Sequence, residues 1–329
     1  MTLLALLDSN LQFDAEYGSG LANHLPMALL ALHARGAPDA RLDAFASHYA
    51  RRLAPARSRP AAAWPEGEHW TSKFGRPESW AAYRGLFAGW LAQDGREAVL
   101  TRVLPALMPG CGAAAFHGLI RTAHALSSGH CGELAAGLAY WACRYWPINV
   151  PAGAGAGDSD APAAVIASMR RALGGWCAEG DLIVQRMQAA VAQPIFAPEA
   201  RRLRVDESSL TPLAMLANRL YADGGNFTVL HLVTGCHSLR LLLPYFAAPA
   251  SAVRSYWWAY AAAATGLPAA AFATTPRPIA ALAWPEIVAR AIASDNEHVV
   301  KLVYSAREEY LHYGRAECHD AAARAVATI

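Results

Sequence analysis

The sequence predicts an all-α protein, a large multi-helix and bundle-like domain. Two observations lead there. Alanine and leucine dominate while alternating Val, Ile and Thr are scarce, so the apolar positions follow the helical repeat of 3.6 and not the strand repeat of two. Glycine and proline then punctuate the chain at helix-length intervals. With 329 residues, 54% hydrophobic and 16% charged, the chain is long enough to bury a sizeable core.

Taken in order, residues 21–35 read as an apolar helix closed by Gly36 and Pro38, and a second runs from Pro38 to about Leu53. Residues 55–65, rich in Pro, Arg and Ala, read as a loop. Pro77–Gln93 and Arg96–Leu107 follow as two helices broken at Asp94 and Gly95. The segments AAAFHGLIRTAHALSS and CGELAAGLAYWACRYW predict a central antiparallel pair joined around Gly129. Residues 151–162, PAGAGAGDSDAP, are the strongest linker signal, a flexible loop or a boundary between halves of one domain spanning 1–329. Further helices are expected at 163–175, 180–192, 209–222, 226–243, 251–264, 284–292 and 294–313. The apolar segment 251–264 reads either as a homodimer face or as packing within the monomer.

Composition narrows the function. A net charge of +2 gives no broad basic field for a nucleic acid. The six cysteines, at 111, 131, 143, 177, 236 and 318, are too widely spaced for zinc modules or a dense disulfide framework and read as free thiols of a reducing cytoplasm. The first residues lack the basic start of a secretory leader, and no uncharged stretch suits a membrane span. The glycines at 153, 155 and 157 do not make a dinucleotide-binding fingerprint, and the Walker A, GxSxG and HExxH patterns are missing.

Histidine and lysine carry the remaining signal. Five of the twelve histidines, His24, His117, His124, His231 and His298, fall in stretches that otherwise read as helical core. A buried imidazole without a partner costs roughly 1–3 kcal/mol. One such residue is simply explained by a bond to a backbone carbonyl; five from four helices make a shared metal in a bundle interior competitive. His117 and His124 are two turns apart, about 10 Å along the axis, so at most one is expected to be a ligand. His231 and His237 diverge by roughly 120°, so only one faces the centre. His298 and Lys301, three apart, share a face.

Lys301 is one of only two lysines, with Lys73, among 28 basic residues. Buried, it would become a neutral amine able to take up CO2 as a carbamate, and so supply the anionic oxygen that the histidine set lacks; the alternative is that it snorkels to water. Asp295 and Glu297 are assigned to the cap and first turn of the last helix.

The runs NHLPMALLALHARGA, KFGRPESWAAYRGLFAGWLAQDG, AFHGLIRTAHAL, VLHLVTGCHSLRLL and DNEHVVKLVYSARE, in this order and covering about 10–315, resemble the questin oxidase-like family. The resemblance implies an oxygenase that opens anthraquinone-type rings by oxygen insertion or oxidative C–C cleavage, with Fe(II), or another divalent metal as purified, and O2. It implies His24, His117, His231, His298 and a carbamylated Lys301 as ligands of a non-haem iron in a cavity between central helices. It moves His124 and His237 to supporting positions and leaves the need for NADPH open. The chain departs from the fungal pattern at Met27 and Ala28, where further histidines are usual, a difference that bears on the substrate pocket.

Around such a centre, Trp70, Phe116, Trp257, Trp258 and Tyr304 are candidates for flat apolar walls, or are ordinary packing residues. Arg121 is a candidate partner for a phenolate or carboxylate, or one half of an interhelical salt bridge. Two rival classes share these residues: a helical protein that binds a hydrophobic aromatic without turnover, and a hydrolase in which a carbamylated lysine bridges two metals.

Overall fold

The computed structural model describes residues 1–55, 64–151, 157–272 and 281–327, and these are built from α-helices apart from one small ladder pairing Glu16–Tyr17 with Leu21–Ala22. In chain order the helices are α1 (Leu3–Asn10), α2 (Leu25–Ala34), α3 (Asp39–Ala50), α4 (Trp80–Leu107), α5 (His117–Ser128), α6 (Cys131–Cys143), α7 (Pro162–Ala172) and α8 (Ile183–Val191). They continue as α9 (Phe196–Ala200), α10 (Leu210–Gly224), α11 (Phe227–Leu242), α12 (Pro249–Thr265), α13 (Trp284–Ala293), α14 (Glu297–Tyr313) and α15 (Ala316–Val326). None of the described helices is long and apolar enough to cross a membrane.

Four helices form the centre. α2 packs on α5, α5 on α11, α11 on α14 and α14 back on α2, closing a ring whose inner faces carry the histidines. The expected α5–α6 hairpin is present and turns at Gly129, whose positive φ suits a residue without Cβ. Its two helices approach closely because glycines line the contact: a Cβ on Gly118 would lie 2.7 Å from the Cα of Trp141, and one on Gly137 2.9 Å from the Cα of Thr122. The break at Gly95 also appears, as a non-helical residue (φ 79°) within α4.

The first predicted helix begins four residues late. Pro26 has no N–H to return to Ala22, and the Asn23 side chain accepts the Leu25 N–H, so residues 21–22 are left to pair as strand and His24 becomes the cap residue of α2. The sequence pattern does not mark α1, α9 or α15. In α15 the buried stripe is Cys318, Ala321, Ala322, Ala323, Ala325 and Val326, residues small enough for close packing on α10 and α14 but too small to mark an apolar face.

The predicted loop at 55–65 falls largely on residues 56–63, and the linker at 151–162 on residues 152–156, both outside the described residues. The described end of that linker is tied down: Ser159 donates its N–H to Arg202 and accepts from Arg204, and Asp158 pairs with Arg202 at 3.1 Å. α12, read as a dimer face or internal packing, is buried within the chain from Tyr256 onward except for the half-buried Trp258.

Candidate metal and substrate site

Each site histidine is delivered by a different central element. His24 caps α2, His117 opens α5, His231 lies one turn into α11 and His298 in the first turn of α14, where the Asn296 side chain accepts the His298 N–H. The entry to α5 is strained: Ala114, Ala115 and Phe116 all have positive φ (47°, 55° and 67°), at a cost of roughly 1–2 kcal/mol each for residues with Cβ. That turn brings the Ala114 carbonyl 2.5 Å from His117 Nδ1.

The rings gather. Centroid separations are 4.6 Å for His24–His117, 4.7 Å for His24–His298, 4.9 Å for His117–His231 and 5.9 Å for His231–His298. A carbonyl only accepts hydrogen bonds, so His117 Nδ1, facing Ala114, and His231 Nδ1, 2.9 Å from the Phe227 carbonyl, both carry the proton. Their Nε2 atoms are therefore bare lone pairs. His24 Nε2 lies 2.6 Å from His117 Nε2 and must donate to it, which leaves the buried His24 Nδ1 bare as well.

That lone pair faces Glu297 Oε1 at 3.6 Å, and His298 Nδ1 faces the same oxygen at 3.5 Å. The sequence reading assigns Glu297 to the first helical turn alone. It does occupy that turn, but it is also buried against the cluster, and one ligand atom from each of His24, Glu297 and His298 lies within 4.8 Å of the others. The signal was available: Glu297 is four residues before Lys301 and so shares its face.

Lys301 does not snorkel. It is 1% exposed, and burial draws its ammonium down from 10.5 to about 7, with the Glu297 carboxylate opposing. Burial, then Lys301 and the neighbouring imidazoles, holds His24 well below its usual value, and burial with the same neighbours does so for His298. Burial acts first on His117 and His231 too, pushing His117 well down and His231 to about 3. All four rings are thus neutral donors at neutral pH.

His124 and His237 belong to a separate, deeper layer on the same helices. Their centroids lie 6.4 Å apart, and the Tyr304 ring sits 5.4 Å from the first and 5.3 Å from the second. His124 Nδ1 donates to the Ile120 carbonyl, while Glu309 Oε1 accepts from His237 Nδ1 at 2.9 Å and from Arg240 Nε at 2.7 Å. Burial alone would raise the Glu309 carboxyl, but those two partners outweigh it and hold the group below the carboxylate range.

Arg121 takes the interhelical alternative. It is 2% exposed and forks onto both oxygens of Glu133 on α6, which also accepts from Asn10. With its guanidinium engaged and a void of only about 10 Å3 beside it and His124, no aromatic ligand can reach it there. Of the proposed aromatic walls, Tyr304 meets the deeper histidines, and the others pack elsewhere. Trp70 sits among Phe74, Phe87 and Trp90, Phe116 on Tyr256, and Trp257 donates to the Ala200 carbonyl. Trp258 packs half-buried on the main core, and Met27 and Ala28 are fully buried.

Two residues at the site's surface escaped the sequence reading. Phe227, 52% exposed, sets its ring 4.9 Å from His231 and 4.7 Å from His298. Arg52 shares an open cleft of about 430 Å3 with Asp295, Asn296, Glu297 and His298.

Comparison with curated proteins finds no match. A protein-family model described as questin oxidase-like matches residues 21–306, a span that holds all four clustered histidines, Glu297 and Lys301, and by that match the chain belongs to the questin oxidase-like family.

Proposed function

We propose that the chain is an oxygenase dependent on non-haem Fe(II) that acts on a hydroxylated aromatic or quinone of the anthraquinone type, by oxygen insertion or oxidative C–C cleavage. His24, His117, His231, His298 and Lys301 would hold the metal. The observation that carries this reading is the direction of the imidazole lone pairs. The carbonyls of Ala114 and Phe227 fix the tautomers of His117 and His231 with Nε2 unprotonated, the outer support that metal-binding histidines usually have. His24 Nδ1 and His298 Nε2 are buried without a hydrogen-bond partner, and a bare nitrogen faces a carboxylate at 3.6 Å, an arrangement that a cation would relieve. Neutral imidazoles with a hard oxygen donor suit Fe(II), which when bound supplies the reactivity toward O2 that no side chain here has.

Lys301 completes the donor set by its own chemistry. With its pKa near 7, about half of the amine is neutral at neutral pH. The Nζ lone pair adds to the carbon of CO2, one N–H proton leaves to solvent, and the resulting carbamate gives an anionic oxygen in place of a buried cation. Glu297 tempers that change, since its carboxylate favours the ammonium.

Metal analysis of anaerobically purified protein, with and without bicarbonate, tests the reading. About one iron per chain is expected, falling on Lys301→Ala, with O2 uptake when hydroxyanthraquinones are added. His298→Ala should lose the metal while far-UV circular dichroism stays unchanged. Full iron occupancy in that variant would sink the ligand set.

A further inference from the structure

We propose that Arg52 and Phe227 form the docking subsite for a flat aromatic ring bearing an ionised oxygen, placing that ring against His298 at the mouth of the histidine cluster. The inference rests on the functional reading above and names what the site selects.

The role that sequence reasoning gave to Arg121 needs a guanidinium free to change partners, and Arg52 has one. Its Nη1 lies 3.6 Å from Glu297 Oε2, beyond hydrogen-bond reach, and the side chain is 41% exposed. Its other neighbours are the face of Tyr49, 5.1 Å from the guanidinium carbon, and His48 Nε2 at 3.4 Å. These contacts hold the group at the cleft wall without saturating its five donors. Of the two carboxylates on the cleft wall, Asp295 is paired to Arg41 at 2.9 Å, and Glu297 is the one that Arg52 faces. Arg52 is thus the cation of the cleft, held to Glu297 only by a long ion pair, and its planar fork suits a phenolate or carboxylate oxygen.

Phe227 supplies the second half. A phenylalanine more than half exposed, edge-on to two imidazoles, gains little from packing where it stands. The Asn226 side chain, accepting from the Thr228 and Val229 N–H groups, fixes the start of α11 and hence the base of this side chain. Arg52 and Phe227 both border His298, one through the shared cleft and one by ring contact. A ring laid on Phe227 with its anionic oxygen on Arg52 therefore rests beside His298. The subsite selects for planarity and negative charge together.

Equilibrium binding, followed by tryptophan quenching in anaerobic buffer, separates the two contributions. The probes are anthraquinone-2-carboxylate against its carboxamide, 2-hydroxyanthraquinone against its methyl ether at a pH where the phenol is ionised, and cyclohexanecarboxylate as a non-aromatic anion. The wild type should prefer each anionic quinone over its neutral partner and bind cyclohexanecarboxylate weakest; which anionic quinone binds tighter tells phenolate from carboxylate recognition. R52Q should erase the anionic preference, weakening those ligands by about tenfold to a hundredfold while leaving the neutral ones unchanged. R52K should recover part of it. F227A should weaken all four quinones by about threefold to tenfold and spare cyclohexanecarboxylate. The proposal is overturned if the wild type shows no anionic preference, or if R52Q keeps it. No turnover is involved, so failure of the oxygenase reading leaves these outcomes intact. Conversely, oxygenase activity with unchanged affinities in R52Q would remove the subsite alone.

Discussion

Replacing Lys301 with methionine should stabilise the metal-free protein, most at low pH. Methionine keeps the length and volume of the lysine stem and removes the charge. The folded chain holds this amine at about 7 against 10.5 in the absence of burial, with 1% exposure. At about 1.4 kcal/mol per unit, a shift of that size corresponds to about 5 kcal/mol, a ceiling because the interior relaxes around a buried charge. Between the two pKa values the unfolded chain holds a proton that the folded chain gives up, so wild-type stability rises with pH across that window. Below it the full penalty is present, and above it the penalty is gone. Urea denaturation of both proteins, stripped of metal in CO2-depleted buffer, should put the variant ahead by several kcal/mol near about pH 6, with the gap nearly closed by about pH 10.5. A gap that does not change with pH, or a wild type that is the more stable at low pH, would refute the reasoning. A stabilised variant without bound iron would also mark Lys301 as a residue kept at a cost to stability.

The neutral histidines give a complementary acid limit. Burial lowers His24, His117, His124, His231 and His298 below 6.5, so the histidine contribution to metal-free stability should be fully present above that pH and fall below it as the unfolded chain takes up protons first, by up to about 1.4 kcal/mol per pH unit for each ring; stability flat between about pH 6.5 and 5 would contradict this. Arg121→Ala should cost about 3–5 kcal/mol in urea denaturation by stranding the buried Glu133, and combining Arg121→Met with Glu133→Leu should restore most of it. Gly118→Ala should cost about 1–3 kcal/mol by forcing α5 away from Trp141, and should lower metal retention as well, because His117 precedes it directly; a neutral effect on melting would mean that the hairpin has slack.

The helical class and most helix positions were legible because punctuation here is chemically blunt. Gly36, Gly95 and Gly129 need or tolerate backbone that other residues resist, and they end or break helices where the pattern says they do. What failed was subtler. The strand pairing ahead of α2 depends on where the Asn23 side chain finds its partners, Asn10 and Leu25, a contact that no local pattern encodes. α15 stayed hidden because its buried residues are mostly alanines, and their burial is decided by how closely α10 and α14 approach.

For the site, helical spacing separated the histidines into two layers, since seven residues on α5 and six on α11 keep a second imidazole from reaching the first cluster. Spacing could not show what each layer faces. Glu297 looked like a helix-start carboxylate because it is one; only the ring closure of α2 against α14 brings His24 to it. The two layers then differ in their third partner from α14. Buried Lys301 acts through its charge on all four upper rings, which reach an open cleft at His298, whereas Tyr304 fills the space between the lower rings, which Glu309 and Arg240 seal. The lower layer binds α11 to α14 through a buried charged hydrogen bond, with His124 of α5 beside it. A network of that kind penalises sliding or rotation of the helices, because any slip leaves Glu309 or His237 buried and unpaired. The register that gathers the four imidazoles of the upper layer is therefore held from below, two turns away from the chemistry it would serve.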